Sequence, residues 1–134
     1  MSRRQIRDII FRLLFRAEFI DGDKMEEQCA FFFASEEGEA ARSEADYIEE
    51  KLFKIMGRLP ELDKRLAKKI EAWDMDRVGK VDLAILRLAV YEMQYDEAIP
   101  ESVAINEAVE LAKKYGQENS RQFVNGVLSK LAET

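Results

Sequence analysis

The chain has no histidine and one cysteine, Cys29, in 134 residues. A lone cysteine cannot close an internal disulfide, and Cys/His metal clusters are excluded with it. The missing histidine also removes the commonest general base. No phosphate-cradling glycine loop and no nucleophile with a usable base replaces it, so catalysis would rest on carboxylates alone. The sequence thus predicts a protein that is not an enzyme and uses no cofactor or metal. Only two prolines and six glycines punctuate the chain, and strand-type alternation is absent. No apolar run approaches the ~20 residues of a membrane span. Arg12 and Arg16 interrupt the first apolar segment too early for a secretory signal, which predicts a cytoplasmic protein with no membrane partner.

What is abundant is charge, unevenly spread. The formal total is −6. Residues 1–17 carry five arginines against Asp8, a local +4, whereas residues 18–50 carry twelve acids against Lys24 and Arg42, a local −10. A polyanion meets one face rather than a net charge, so the acidic total is compatible with a basic phosphate-binding patch, though not with indiscriminate nucleic-acid affinity.

Helical spacing dominates the rest. Ile6, Ile9, Ile10, Leu13 and Ala17 recur at three and four residues and predict an amphipathic helix over about 3–20. DGDK at 21–24 reads as a turn, MEEQCAFFFA as a second helical piece, and SEEGEAARSEAD as a polar loop. The loop leads into a helix carrying Tyr47, Ile48, Leu52, Ile55 and Met56, which Gly57 and Pro60 end. Leu62, Leu66, Ile70 and Trp73 mark another. Residues 78–95 are apolar in nearly every direction, as a helix surrounded by helices requires. Pro100 opens the next helix and Gly116 closes it as a left-handed cap. Asn119 and Gln122 form a capping-box variant ahead of Val124, Val127, Leu128 and Leu131. The prediction is an all-α fold of about seven helices.

Two helical faces are equipped for RNA. At 100° per residue, Arg3, Arg4 and Arg7 fall within an arc of about 100° beside the apolar stripe, with Phe11 and Phe15 in or next to it. Guanidinium groups pair with phosphates, and aromatic rings stack on unpaired bases. The alternative is that both rings extend the core and the arginines are merely solvated. In the last helix, Phe123, Gly126 and Lys130 share a flank away from the buried arc. Phe123 could stack on a base, Gly126 admit close backbone approach and Lys130 meet a phosphate. Equally, Phe123 could be peripheral core and Gly126 a packing site for another helix. Asn106 and Asn125 are expected to tie neighbouring segments together through satisfied hydrogen bonds, Arg87 to be a structural ion-pair partner, and Asp76 and Asp82 to favour the dipole at the start of the central helix.

DLAILRLAVYEM, IPESVAINEAVELAKKYG and FVNGVLSK, in that order, closely resemble the NusB family of bacterial transcription antitermination factors. The likeness is dense over residues 77–131, looser over the arginine-rich start and absent over about 21–56. It implies a single domain, 1–134, of two helical sub-bundles, about 1–72 and 73–134. It further implies recognition of boxA-like single-stranded leader RNA jointly with the ribosomal protein NusE, within an RNA polymerase antitermination complex. Under that resemblance Arg3, Arg4, Arg7, Phe11, Phe123, Gly126 and Lys130 would bind RNA, and Phe15, Asp76 and Asp82 would lie near the NusE contact. Asn119 stands where such sequences often carry an acid, and its neutrality should ease phosphate approach. The competing reading is a helical interaction module or homodimer without RNA, with Phe31 to Phe33 and the arginine-rich first helix forming subunit contacts.

Overall fold

The computed structural model describes residues 1–70 and 77–133. Among them lie eight α-helices and no strand. The chain separates into two compact units, Met1–Met56 and Gly57–Thr134. The sub-bundle boundary expected at about 72/73, the expected core residue Trp73, and Asp76 all lie outside the described residues.

The first unit begins with α1 (Arg3–Ala17). Its start is a full capping box: the Ser2 hydroxyl accepts from the Gln5 backbone amide at 3.1 Å, and the Gln5 side chain accepts from the Ser2 amide at 2.8 Å. Two orphan donors are thereby satisfied, which commits the helix to start at Arg3. Its apolar stripe buries Ile9, Ile10, Leu13 and Leu14. α1 packs against α4 (Ala45–Met56), which buries Ile48, Leu52 and Ile55. Between them come α2 (Met25–Ala34) and the single turn α3 (Glu36–Glu39). The segment SEEGEAARSEAD is therefore partly helical rather than a loop. Its turn is capped by Ser35, whose hydroxyl accepts from the Gly38 amide at 3.2 Å. A Cβ at Gly38 would collide with the Phe32 carbonyl, so α2 and α3 meet only because that side chain is absent.

The second unit comprises α5 (Leu59–Lys69), α6 (Lys80–Tyr95), α7 (Glu101–Tyr115) and α8 (Ser120–Ala132). α6 packs on the other three, and burial on almost every side of it (Leu83, Ala84, Ile85, Leu86, Leu88, Ala89, Val90) matches its near-continuous apolar sequence. Each of these leucines and isoleucines contributes about 1.5–3 kcal/mol of burial. Pro60 stands in the first turn of α5 rather than ending the helix before it, where its missing amide costs nothing.

Two expected caps are replaced. Gly116 has φ −87 and ψ −174, an extended conformation rather than a left-handed one. Glycine is required there by crowding instead: a Cβ would lie 2.5 Å from Ser120 Cβ. Asn119 makes no side-chain cap; the Ser120 hydroxyl accepts from the Gln117 amide at 2.9 Å and holds the turn.

Candidate nucleic-acid interface

In the first unit the five arginines of α1 divide into two groups. Arg12 lies 2.9 Å from the buried Asp8 carboxylate and also pairs with Glu37. Arg12 and Arg16 each stand 5.6 Å above the Phe32 ring. These two hold the fold, stacking on the aromatic face as guanidinium groups do. Arg3 and Arg4 are exposed and Arg7 is half-buried, so the cationic end of the helix faces outward over its first turn and a half.

The aromatic residues of α1 divide as well. Phe11 is 3% exposed and belongs to the core. This corrects its expected place on the RNA face: its position at the edge of the apolar stripe puts it against packed neighbours, where no base can stack. Phe15 is half-buried, 6.4 Å from Phe11 and 5.2 Å edge-on from Phe19. Phe19 is 63% exposed, and the sequence gives no sign of it as a surface aromatic because it lies beyond the regular part of the stripe. Of Phe31 to Phe33 only Phe31 is exposed; Phe32 and Phe33 are buried.

A recess in this unit is lined by Asp23, Glu26, Asp46, Glu49 and Glu50 with Gly22 and Phe53. Partial burial, then repulsion from Asp46 and Glu26, raises the Glu49 carboxyl above its ordinary range. The Cys29 thiol is pushed up to about 11, first by burial and then by Glu49, which leaves it neutral and unreactive.

In the second unit the outer flank of α8 carries the expected group. Phe123 is half-buried, while Gly126 and Lys130 are exposed. A Cβ placed on Gly126 would meet no neighbouring atom within 4 Å. The packing explanation for this glycine therefore fails, and its helix carries an uncompensated propensity cost of about 1 kcal/mol relative to alanine. Gln122, legible in the sequence only as a capping residue, is exposed on the same flank, about 40° around the helix from Gly126. Its amide presents a donor and an acceptor beside the open backbone. Asn125 is exposed here and Asn106 is exposed on α7, so any tie they make to a neighbouring segment lies at the surface. Both occupy solvent-facing positions that the apolar periodicity leaves free.

At the start of α6 Asp82 is half-buried in the first turn, where a carboxylate favours the helix dipole. Arg87 forms a two-pronged pair with Asp63, 2.8 and 2.7 Å, which confirms it as a structural partner. Among the described residues no group of three or more acidic or cysteine side chains could hold a metal, and no helix is long and apolar enough to cross a membrane.

Residues 4–133 match the model of the NusB family. The chain is 46% identical over 133 residues to the transcription antitermination protein NusB of Lachnoclostridium phytofermentans, covering 99% of this chain and all of that one. Its fold is similar to a T. maritima NusB structure, with a TM-score of 0.83, 33% identity, and 99% and 92% of the two chains covered. It is also similar to a chain in a crystal structure of the antitermination factors NusB and NusE in complex with dsRNA, with a TM-score of 0.76, 25% identity, and 99% and 98% covered. Sequence identity sustained along nearly the whole length, on the same helical framework, makes this chain a member of the NusB family.

Proposed function

We propose that the chain is a non-enzymatic, cytoplasmic transcription antitermination factor that binds boxA-type leader RNA together with NusE and joins an RNA polymerase antitermination complex. The observation that carries the RNA reading is the open backbone at Gly126, flanked by Phe123, Gln122 and Lys130. An exposed glycine inside a helix destabilises it relative to alanine, and a ligand that must approach the backbone closely gives a reason for bearing that cost. In this reading Phe123 stacks on an unpaired base, Lys130 meets a phosphate, and Arg3, Arg4 and Arg7 supply further phosphate contacts from α1. Phe15 and Asp82, with Asp76, contribute to the NusE contact. The relative crystallised with NusE and dsRNA supports both partners.

The chain is acidic, so RNA affinity alone should be modest, and a basic partner should raise it by shared contacts and charge neutralisation. The test is titration of a labelled boxA-like RNA, single-stranded and as a duplex, with and without saturating NusE. Single strands should bind better than duplex, and NusE should tighten binding reciprocally. Phe123→Ala should cost about 1–3 kcal/mol on single strands without lowering the melting temperature by more than a few degrees. If NusE leaves RNA affinity unchanged, the cooperative reading is wrong. If folded Phe123→Ala binds normally, the α8 flank is not the stacking surface.

A further inference from the structure

The C-terminal half of α5 reads KRLAKK and places four cations, Lys64, Arg65, Lys68 and Lys69, within six residues. On a helix they span an arc of about 140°, on the flank opposite Asp63. The two acids of this helix are both engaged elsewhere. Asp63 holds Arg87 through two bonds of 2.8 and 2.7 Å. Glu61 accepts from Arg58 at 3.2 Å and from the Tyr95 hydroxyl at 2.6 Å, with the Arg58 guanidinium 4.2 Å above the Tyr95 ring. The hydrogen bond from Tyr95, then that from Arg58, holds the Glu61 carboxyl below its ordinary range. Neither acid forms an ion pair with the four cations, and none of the four pairs with an acid among the described residues. Lys64 and Lys68 are exposed; Arg65 Nε is buried with no hydrogen-bond partner among the described residues.

A favourable helix dipole accounts for cations in the last turn, but not for Lys64 in the middle of the helix. The chemistry favours a polyanion over a protein. Protein interfaces centre on aromatic or aliphatic anchors and are depleted in lysine, and from Glu61 to Lys69 the exposed positions are Glu61, Lys64, Ala67 and Lys68, with no large apolar side chain. Lysines one helical turn apart, about 6 Å in rise, are point charges that accept phosphates in many orientations.

We propose that α5 is a second phosphate-binding surface, which engages the backbone of RNA flanking the recognised element without reading its sequence. This rests on the RNA reading above and adds a separate site to it. α5 packs against α8 within the same unit, so both surfaces belong to one folded body.

The experiment compares the full chain with Lys64→Ala/Lys68→Ala on two RNAs: a boxA-like strand of about 12 nucleotides, near the footprint of one small binding module, and the same element in a strand about three times as long. Binding is measured across a salt series. The expected result is unchanged binding of the short strand, and for the long strand a log–log salt slope smaller by about 1.4, or about 0.7 for each phosphate no longer neutralised. Lys64→Arg/Lys68→Arg should restore the slope, since charge rather than lysine itself is required. An unchanged slope on the long strand, while wild type binds the short strand, overturns α5 as a site and leaves the boxA reading intact. Failure of wild type to bind either strand overturns both. If the alanine variant binds both RNAs normally but loses binding to polyglutamate, the surface serves an acidic protein and the proposal is wrong.

Discussion

Gly126→Ala should do two opposite things at once. The wild-type residue sits in the interior of α8, exposed, and a methyl group added to it would find nothing within 4 Å. No clash offsets the gain in helix propensity, so the substitution should stabilise the fold by about 0.5–1 kcal/mol. For a chain of this size that is a rise of roughly 2–6 °C in the melting midpoint. The same methyl group would stand between the helix backbone and any ligand in direct contact with it. A penalty of about 1–2 kcal/mol there weakens RNA binding by a factor of about 5–30. Thermal melts by circular dichroism and fluorescence anisotropy with a boxA-like strand measure the two effects on the same preparation. Destabilisation by Gly126→Ala would show that a helix packs on this glycine after all. Stabilisation with unaltered RNA affinity would refute Gly126 as a point of close approach, and the RNA surface would then have to lie elsewhere.

Replacing Arg3, Arg4 and Arg7 with alanine should reduce the salt slope of RNA binding by about 0.7 for each phosphate released from a guanidinium while leaving the fold intact; Arg12→Ala should instead destabilise the first unit, because it strips the buried Asp8 of a partner, and equal melting temperatures for the two variants would contradict this division. Cys29 is fully buried with its thiol pushed up to about 11, so alkylation at neutral pH should proceed only as fast as the protein unfolds. An unfolded thiol ionises near 9.0, so this group should lower stability progressively as pH rises from about 9 to about 11; rapid labelling of native protein would be inconsistent with both statements. Glu49→Gln should raise the melting temperature slightly at neutral pH by removing repulsion from Asp46 and Glu26. The raised carboxyl penalises the folded state only when ionised, so the difference should vanish as pH falls through its folded titration range, and a difference that persists in acid would point to packing rather than charge.

Helix existence is legible from local periodicity: the stripes through Ile9 to Leu13 and Val124 to Leu131 are buried as their spacing requires, and the all-round apolar character of residues 83–90 announces the central helix. The boundaries are less legible, because a cap depends on which donor reaches which acceptor. The Ser2–Gln5 box is present in the sequence as S-x-x-Q, yet Asn119 looks as good a cap and makes no side-chain cap bond, while the Ser120 hydroxyl accepts from Gln117 in the turn before the helix. Glycine carries the same ambiguity. Gly116 and Gly126 are indistinguishable by identity, and only the surroundings separate a residue crowded by Ser120 from one open to solvent.

The sequence by itself determined the longer helices though not the single turn α3, the absence of disulfide and Cys/His metal chemistry, and the concentration of arginine on α1. Tertiary structure decided what each charge and ring is for. Phe11 is core and Phe19 is surface because burial depends on what packs against a helix, not on a side chain's place in its own wheel. Arg12 and Arg16 are structural because Phe32, Asp8 and Glu37 lie within their reach, while Arg3 and Arg4 meet solvent. Among the described residues the α5 cations pair with no acid, because Asp63 and Glu61, their neighbours in sequence, bond instead to Arg87, Arg58 and Tyr95. Arg87 and Tyr95 come from a different helix. Charge in a sequence is a sum, whereas charge on a surface is what remains after through-space pairing, and that pairing exists only once the helices are packed.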